Sequence, residues 1–333
     1  MAARIRHRRE ALGLSQADVA LAAGLTRQLV GTVERGQHVP SVNAAIALAR
    51  TLETTVEDLF GEAIERWEPA LGQPADEGAA LFAVRVGERL IYSLLAGAGE
   101  GSFWQRADGT LKGGRVELFS GIEAEGFAIA GCDPALGLAA SFLPQRGPSR
   151  LVAIPATSAA ARRVLDAGRL HGALIHGPED TIGAPSEGVE RMNLARWRVG
   201  LAGRPGSRID LDRLAGGRTR LARLAAGAEA QKALDRALRG HGGSSKVAGV
   251  VASGHLESAR LVAYGAADLG VVMEPVVLAY GLDFTPLEEH IVFLETDECW
   301  TEHPGARALT ALFASRTFRV HLGLVGGYDL NFC

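Results

Sequence analysis

The chain has 333 residues, of which 47% are hydrophobic and 22% charged, so one or more packed cores are expected and general disorder is excluded. The net charge of −3 excludes a global basic field, and any surface for nucleic acid must be local. No run of about 18 apolar residues is present to span a membrane. The basic start MAARIRHRRE runs into ALGLSQADVA without the apolar core and cleavage site of a signal peptide. Cys132, Cys299 and Cys333 are scattered, without a CxxC pair, and suggest reduced thiols. These features predict a cytoplasmic protein.

Residues 1–62 read as short helices joined by tight turns. Arg4 to Leu12 forms the first, stopped by Gly13. Ser15 caps a second from Gln16 to Ala23, ended by Gly24. Thr26 caps a third from Arg27 to Glu34, closed by Gly36. Ser41 caps a fourth through Arg50, and Thr55 to Phe60 makes a last turn. Leu21, Leu25, Val30 and Val33 are expected to fill a small core. Ile46, Leu48, Ala49 and Leu52 supply apolar spacing, and Val56, Leu59 and Phe60 pack against the others.

Residues 63–80, rich in Pro, Gly, Gln and acidic residues, read as a linker. Residues 81–125 form a short β-rich segment whose strands are LFAVRV, RLIYSLLA and GRVELF. From residue 126 to 333 short apolar runs alternate with helical stretches: FAIAG, LVAIP, GALIHG, TRLARL, VAGVVA and DLGVVM. Such alternation predicts an α/β domain with a largely parallel sheet covered on both faces.

The stretch LSQADVALAAGLTRQLVGTVERGQHVPSVNAAIALARTLETTVEDLF resembles the XRE/Cro-type helix-turn-helix family over its full domain length. LSQ, AxxAGLT, VERG, the Pro-Ser start of the fourth helix and the closing DLF carry the resemblance. It implies that the third helix reads the major groove with its N-terminal residues. Arg27, Gln28 and Thr32 share one face of that helix; Arg suits guanine and Gln suits adenine. Gln16 and Thr26 are implied at the edge of the groove, where phosphate contacts fix register. Arg35 supplies nearby positive charge, and Arg9 and Glu34 match a buried pair tying the first helix to the third. Such domains usually read two half-sites as dimers.

The segments AGCDPALGL, GHLESARLVAYGAADLGVVMEPVVLAYGLDFTPLEE and GGYDL are similar to the two-lobed periplasmic-binding-protein fold (type II), in particular to its molybdate-binding-like members that accompany helix-turn-helix modules. In open α/β sheets a ligand lies beyond the carboxyl ends of strands, at helix N-termini. That places Cys132 and Asp133, Thr157 and Ser158, Gly227, Ala228 and Glu229, and Ser253, Gly254 and His255 around one cleft. The resemblance implies an oxyanion or small polar metabolite as effector. Ala226 and Ala228 stand where related sequences carry hydroxyls, and Glu229 where an Arg is common. With Asp133 and Glu274 nearby, this favours an amine, a neutral polar molecule or a metal over a dianion.

The reading is a ligand-responsive transcriptional regulator with operator DNA and a small effector as partners, a homodimer or higher homo-oligomer, and no catalytic residue, cofactor or membrane partner. One alternative is an enzyme carrying its own DNA-binding domain. GxSxG, HExxH and a Walker loop are all missing, and the glycine-rich run at 240–246 lacks the GK[ST] ending. Another is a metal sensor using Cys132, Asp133, His176 and His255, although no pair stands at helix spacing.

Overall fold

The computed structural model describes residues 2–60, 66–72, 76–95, 106–241 and 249–331. The glycine-rich residues 242–246, Cys333 and parts of the expected linker (63–65 and 73–75) lie outside the described residues. The chain divides into two compact units, Met1–Arg66 and Trp67–Cys333. None of the described helices is long and apolar enough to cross a membrane.

The first unit consists of α1 (Ala2–Ala11), α2 (Gln16–Ala23), α3 (Arg27–Glu34), α4 (Val42–Thr51) and α5 (Val56–Phe60). Ser15, Thr26 and Ser41 each accept a hydrogen bond from a backbone N–H of the first turn, as N-caps do. Asp18 closes a capping box on Ser15. Gly24 ends α2 in the left-handed conformation at φ 66°, which a residue with a side chain rarely adopts. The core is built from Ile5, Val19, Ala20, Val30, Val33, Leu48, Ala49, Leu52 and Leu59. Leu21, expected in that core, is instead 86% exposed. Since α2 buries Val19 and Ala20, the next residue is rotated about 100° further, toward solvent. Ile46 is likewise on the exposed side of α4.

The second unit begins with a five-stranded sheet of β1 (Trp67–Pro69), β2 (Ala80–Val86), β3 (Arg89–Leu94), β4 (Gly109–Lys112) and β5 (Arg115–Leu118), in the order β1-β3-β2-β4-β5. The stretch expected as a linker is therefore partly strand, because Trp67–Pro69 pairs in parallel with β3. Nor is the β-rich segment separate from the α/β elements beyond residue 126. Phe82, Val84, Val86 and Ile91 share one core with Ala128, Ile154, Val164 and Ile175. Asp108 fastens the two together: its carboxylate accepts the Ala83 N–H at 2.8 Å and both guanidinium nitrogens of Arg150 at 2.9 and 2.8 Å.

The remaining elements are β6 (Phe127–Gly131), α6 (Ala135–Phe142), β7 (Leu151–Pro155), α7 (Ser158–Asp166), β8 (Gly172–Gly177), β9 (Val189–Gly203), α8 (Leu211–Ala215), β10 (Leu221–Arg223), α9 (Glu229–Gly240), β11 (Gly249–Val251), α10 (His255–Ala263), β12 (Leu269–Met273), α11 (Glu274–Tyr280), β13 (Asp283–Asp297), α12 (Pro304–Ala314) and α13 (Arg316–Val325). Eight strands run in the order β11-β10-β12-β9-β13-β8-β6-β7. The outer strands pair in parallel, as expected, but β9 and β13 are antiparallel to each other and to their neighbours, so the sheet is mixed. These two 15-residue strands connect two lobes. Ile291–Thr296 of β13 joins β8, with β6 and β7 beyond it, while Val199–Gly203 of β9 joins β12, with β10 and β11 beyond it. Neither strand was among the expected apolar runs. Each passes from exposed to buried surroundings, and their pairing carries two register shifts, so neither shows a uniform pattern.

Candidate functional site

Helix α3 presents Arg27 and Gln28, with its cap Thr26, to solvent. Thr26 is half spent locally, its hydroxyl accepting the Leu29 N–H at 3.1 Å. Thr32 is half-buried and donates back to the Leu29 carbonyl at 2.9 Å. Beneath the helix, Glu34 is buried and collects three side-chain hydrogen bonds. Arg9 donates at 2.6 and 3.3 Å and Gln16 at 2.7 Å. Burial pushes the Glu34 carboxyl up, but these bonds and the Arg9 charge outweigh it and hold it below its ordinary value. Gln16 is thus tied into the interior as well as facing α3. Gly31 leaves room beside it: a Cβ there would lie 3.2 Å from the Arg35 guanidinium and 3.6 Å from the Gln16 amide oxygen. Arg35 is exposed and donates to Gln37 at 2.9 Å.

In the second unit a cavity of about 290 Å³ is lined from both lobes. The β6–α6 junction contributes Gly131, Cys132 and Asp133, and the β7–α7 junction Ala156, Thr157 and Ser158. From the other lobe come Leu224, Ala225, Ala228 and Glu229 between β10 and α9, and Ala252, Ser253, Gly254 and His255 between β11 and α10. The four strand-to-helix junctions singled out in the sequence therefore do meet. Gly227 is the exception; it is exposed and does not line the cavity, because the chain turns outward there before Ala228 caps α9.

Two of the candidate contacts are committed to the wall itself. Asp133 is buried, and its carboxylate accepts from the Ala135 N–H at 2.9 Å, the Tyr328 hydroxyl at 2.6 Å and the Trp197 indole at 2.9 Å. Ser158 accepts the His176 N–H at 3.0 Å and donates to the His176 carbonyl at 3.2 Å. Among the described residues lining the cavity there is no Arg or Lys, while Glu229 and Glu257 are present. Glu229 is paired with Lys232 at 2.6 Å, and Glu257 accepts the Ser253 N–H at 2.6 Å.

Behind Cys132 runs a chain of polar contacts that sequence reading missed apart from His176. The Cys132 thiol lies 3.0 Å from His176 Nε2, His176 Nδ1 lies 2.9 Å from His290 Nδ1, and His290 Nε2 lies 3.4 Å from Glu288. Glu288 in turn accepts two bonds of 2.6 Å from Arg236. Although burial raises it, Arg236 and His290 bring the Glu288 carboxyl down to about 2. An ionised Glu288 takes a hydrogen bond from His290 Nε2. Burial, then the Asp133 charge, pushes the Cys132 thiol up to about 12. Burial, then His290, holds His176 well below its ordinary value, and the same causes hold His255 at about 4. His290 and Trp197 sit on β13 and β9, the two strands that the sequence pattern concealed, while Tyr328 lies in the GGYDL segment singled out only for its resemblance.

Residues 1–60 match the family described as a helix-turn-helix domain, and residues 140–313 match the PBP superfamily domain. An uncharacterised HTH-type transcriptional regulator of Archaeoglobus fulgidus is 35% identical over 60 residues, 18% of this chain and 86% of that protein. A second, from Methanothermobacter thermautotrophicus, is 40% identical over 57 residues, 17% of this chain and 83% of that protein. An ABC-type phosphate transport receptor from Vibrio cholerae is similar in structure at a TM-score of 0.44 and 13% identity, over 61% of this chain and 99% of that one.

Proposed function

Because the chain belongs to the helix-turn-helix transcriptional regulators and to the PBP superfamily, we propose that it is a ligand-responsive regulator that acts by binding and not by turnover. Helix α3 enters the major groove of an operator, with Arg27 and Gln28 at base edges and Thr26 and Arg35 toward phosphates. Two copies read two half-sites in the cytoplasm. The effector is a small neutral or cationic molecule held between the lobes. The observation that carries this reading is the cavity lined by four strand-to-helix junctions, two from each lobe. A ligand there contacts both lobes and favours their closed arrangement by its differential affinity. A dianion fits poorly, since carboxylates and no Arg or Lys line the described wall.

The test is selection of an operator from random duplex DNA by the full chain, followed by affinity measurements. Arg27→Ala and Gln28→Ala should each cost about 1–3 kcal/mol of specific affinity, with circular dichroism unchanged. Wild-type affinity in both variants would remove α3 as the reading helix.

A further inference from the structure

The donors that face one another across the cavity point to a cation as its occupant. We infer that Cys132, His176 and His255 form a binding site for a thiophilic divalent ion of the zinc class, which clasps the two lobes together. Their ligand atoms all lie within 4.8 Å of one another. A tetrahedral zinc ion, with bonds of about 2.0–2.1 Å to nitrogen and 2.3 Å to sulfur, sets its ligands about 3.5 Å apart, close to the spacing found here. The ion replaces the thiol proton between Cys132 and His176 and widens their 3.0 Å contact.

Several features distinguish this cluster from a polar patch in a core. His176 turns Nε2 toward Cys132 at 3.0 Å, while its Nδ1 lies 2.9 Å from His290, itself backed by Glu288 and Arg236. A ligand histidine whose second nitrogen is engaged by such a chain is held in orientation. The neighbouring carboxylate, Asp133, is fully engaged with Trp197, Tyr328 and the Ala135 N–H. The donor set is therefore two nitrogens and one sulfur, which selects zinc-class and softer ions over magnesium or calcium. With three protein ligands, a fourth position is left to water or a small donor in the cavity.

The three residues are also divided between the lobes. Cys132 follows β6 and His176 lies on β8, whereas His255 begins α10 of the other lobe. His255 is the ligand that must rearrange, because its Nδ1 accepts the Met273 N–H at 3.2 Å. Its ring exchanges that bond for the ion, coupling occupancy to the seating of α10 against β12. The site itself stands on these contacts alone; the further step, that the ion is the effector, rests on the regulatory reading above.

The experiment uses the reduced, chelator-treated full chain titrated with cobalt(II) chloride, then with zinc chloride in competition. One cobalt should bind per chain with a thiolate charge-transfer band in the near ultraviolet and strong visible bands of four-coordinate metal, both bleached by zinc. Cys132→Ser should lose the charge-transfer band, and His176→Gln and His255→Gln should each weaken binding at least tenfold. His321→Gln, a change on exposed α13, should leave spectrum and affinity intact. Far-ultraviolet circular dichroism checks that each variant is folded, and Cys132→Ala repeats the test should the serine variant misfold. No charge-transfer band in the wild type, or a band that survives in Cys132→Ser, overturns the site. A His255→Gln variant that binds as wild type overturns the clasp. Failure of the regulatory reading is separate: no operator is then selected by the chain with or without zinc.

Discussion

Glu34 shows how one buried charge can organise a small domain. Its carboxylate joins α1 through Arg9 and the start of α2 through Gln16, while it sits on α3. Replacing it with alanine removes the main partner of the Arg9 guanidinium, whose side chain is only 12% exposed, and leaves it the Leu14 carbonyl and Glu10. Glu34→Ala should therefore destabilise the first unit by on the order of 3 kcal/mol, the scale for removing one partner of a buried pair. Denaturant unfolding of the full chain, followed on the helical unit, would show an unchanged midpoint if the pair were ornamental. His171 makes a second case. It is buried, stacks on Phe127 at 4.9 Å, lies edge-on to Trp300, faces His303, and accepts the Ala128 N–H on Nδ1. Burial, then His303, lowers it to about 3. The unfolded chain then binds a proton that the folded chain refuses. The stability due to neutral His171 is complete above about pH 6.5 and is lost as pH falls from there toward 3, by about 1.4 kcal/mol per pH unit. Urea midpoints of the second unit should be lower at pH 5 than at pH 7, and His171→Asn should make that slope shallower by its share, with His176 and His255 supplying the rest. An equal slope in the variant would assign the acid sensitivity elsewhere.

At the scale of elements, the two long strands hold the second unit's design. β9 and β13 pair from Val189↔Asp297 to Gly203↔Asp283, with a register shift between Pro286 and Glu288. Gly200 lies opposite that irregularity, paired with Pro286. A Cβ at Gly200 would fall 2.1 Å from the Thr285 carbonyl oxygen and 2.8 Å from the Phe284 ring, so backbone must shift to admit it. Gly200→Ala should cost about 1–3 kcal/mol, the range for overpacking, and lower the melting temperature of the second unit while leaving the first unchanged. Differential scanning calorimetry resolves the two; coincident, wild-type transitions would mean that the strands part more easily than their pairing suggests. The short outer strands were legible because each is an apolar run bounded by turn residues. The long pair was not, because a strand that starts in solvent and ends in the core changes its alternation midway.

At the scale of the whole molecule, the cavity between the lobes is the feature on which the proposed regulation turns. Thr157 lines it at the cap of α7, with its hydroxyl on the Ala160 N–H at 3.3 Å. Thr157→Trp places an indole in a space of about 290 Å³. A ligand that binds only the folded state raises the melting temperature by mass action. Any compound or ion that stabilises the wild type through this cavity should leave the tryptophan variant unshifted. Operator affinity without effector should match wild type, because α3, the proposed reading helix, belongs to the other compact unit. A wild-type thermal shift in the variant would move the effector site elsewhere.

The helical unit was readable from sequence almost to the residue. Its caps at Ser15, Thr26 and Ser41 and its turns at Gly13, Gly24 and Gly36 are local, and each acts within a few residues of itself. The same holds for the strand-to-helix junctions, whose small residues and caps mark the walls of the cavity before any fold is known. Tertiary structure decided what depends on distant partners. It turned Leu21 outward, drew part of the expected linker into a sheet, and spent Asp133 and Ser158 on the cavity wall. It also brought His176 to Cys132 and His290 behind it, 44 and 114 residues apart along the chain. A side chain's chemistry is written at its own position, but whether that chemistry is available depends on which donors and acceptors the fold sets beside it.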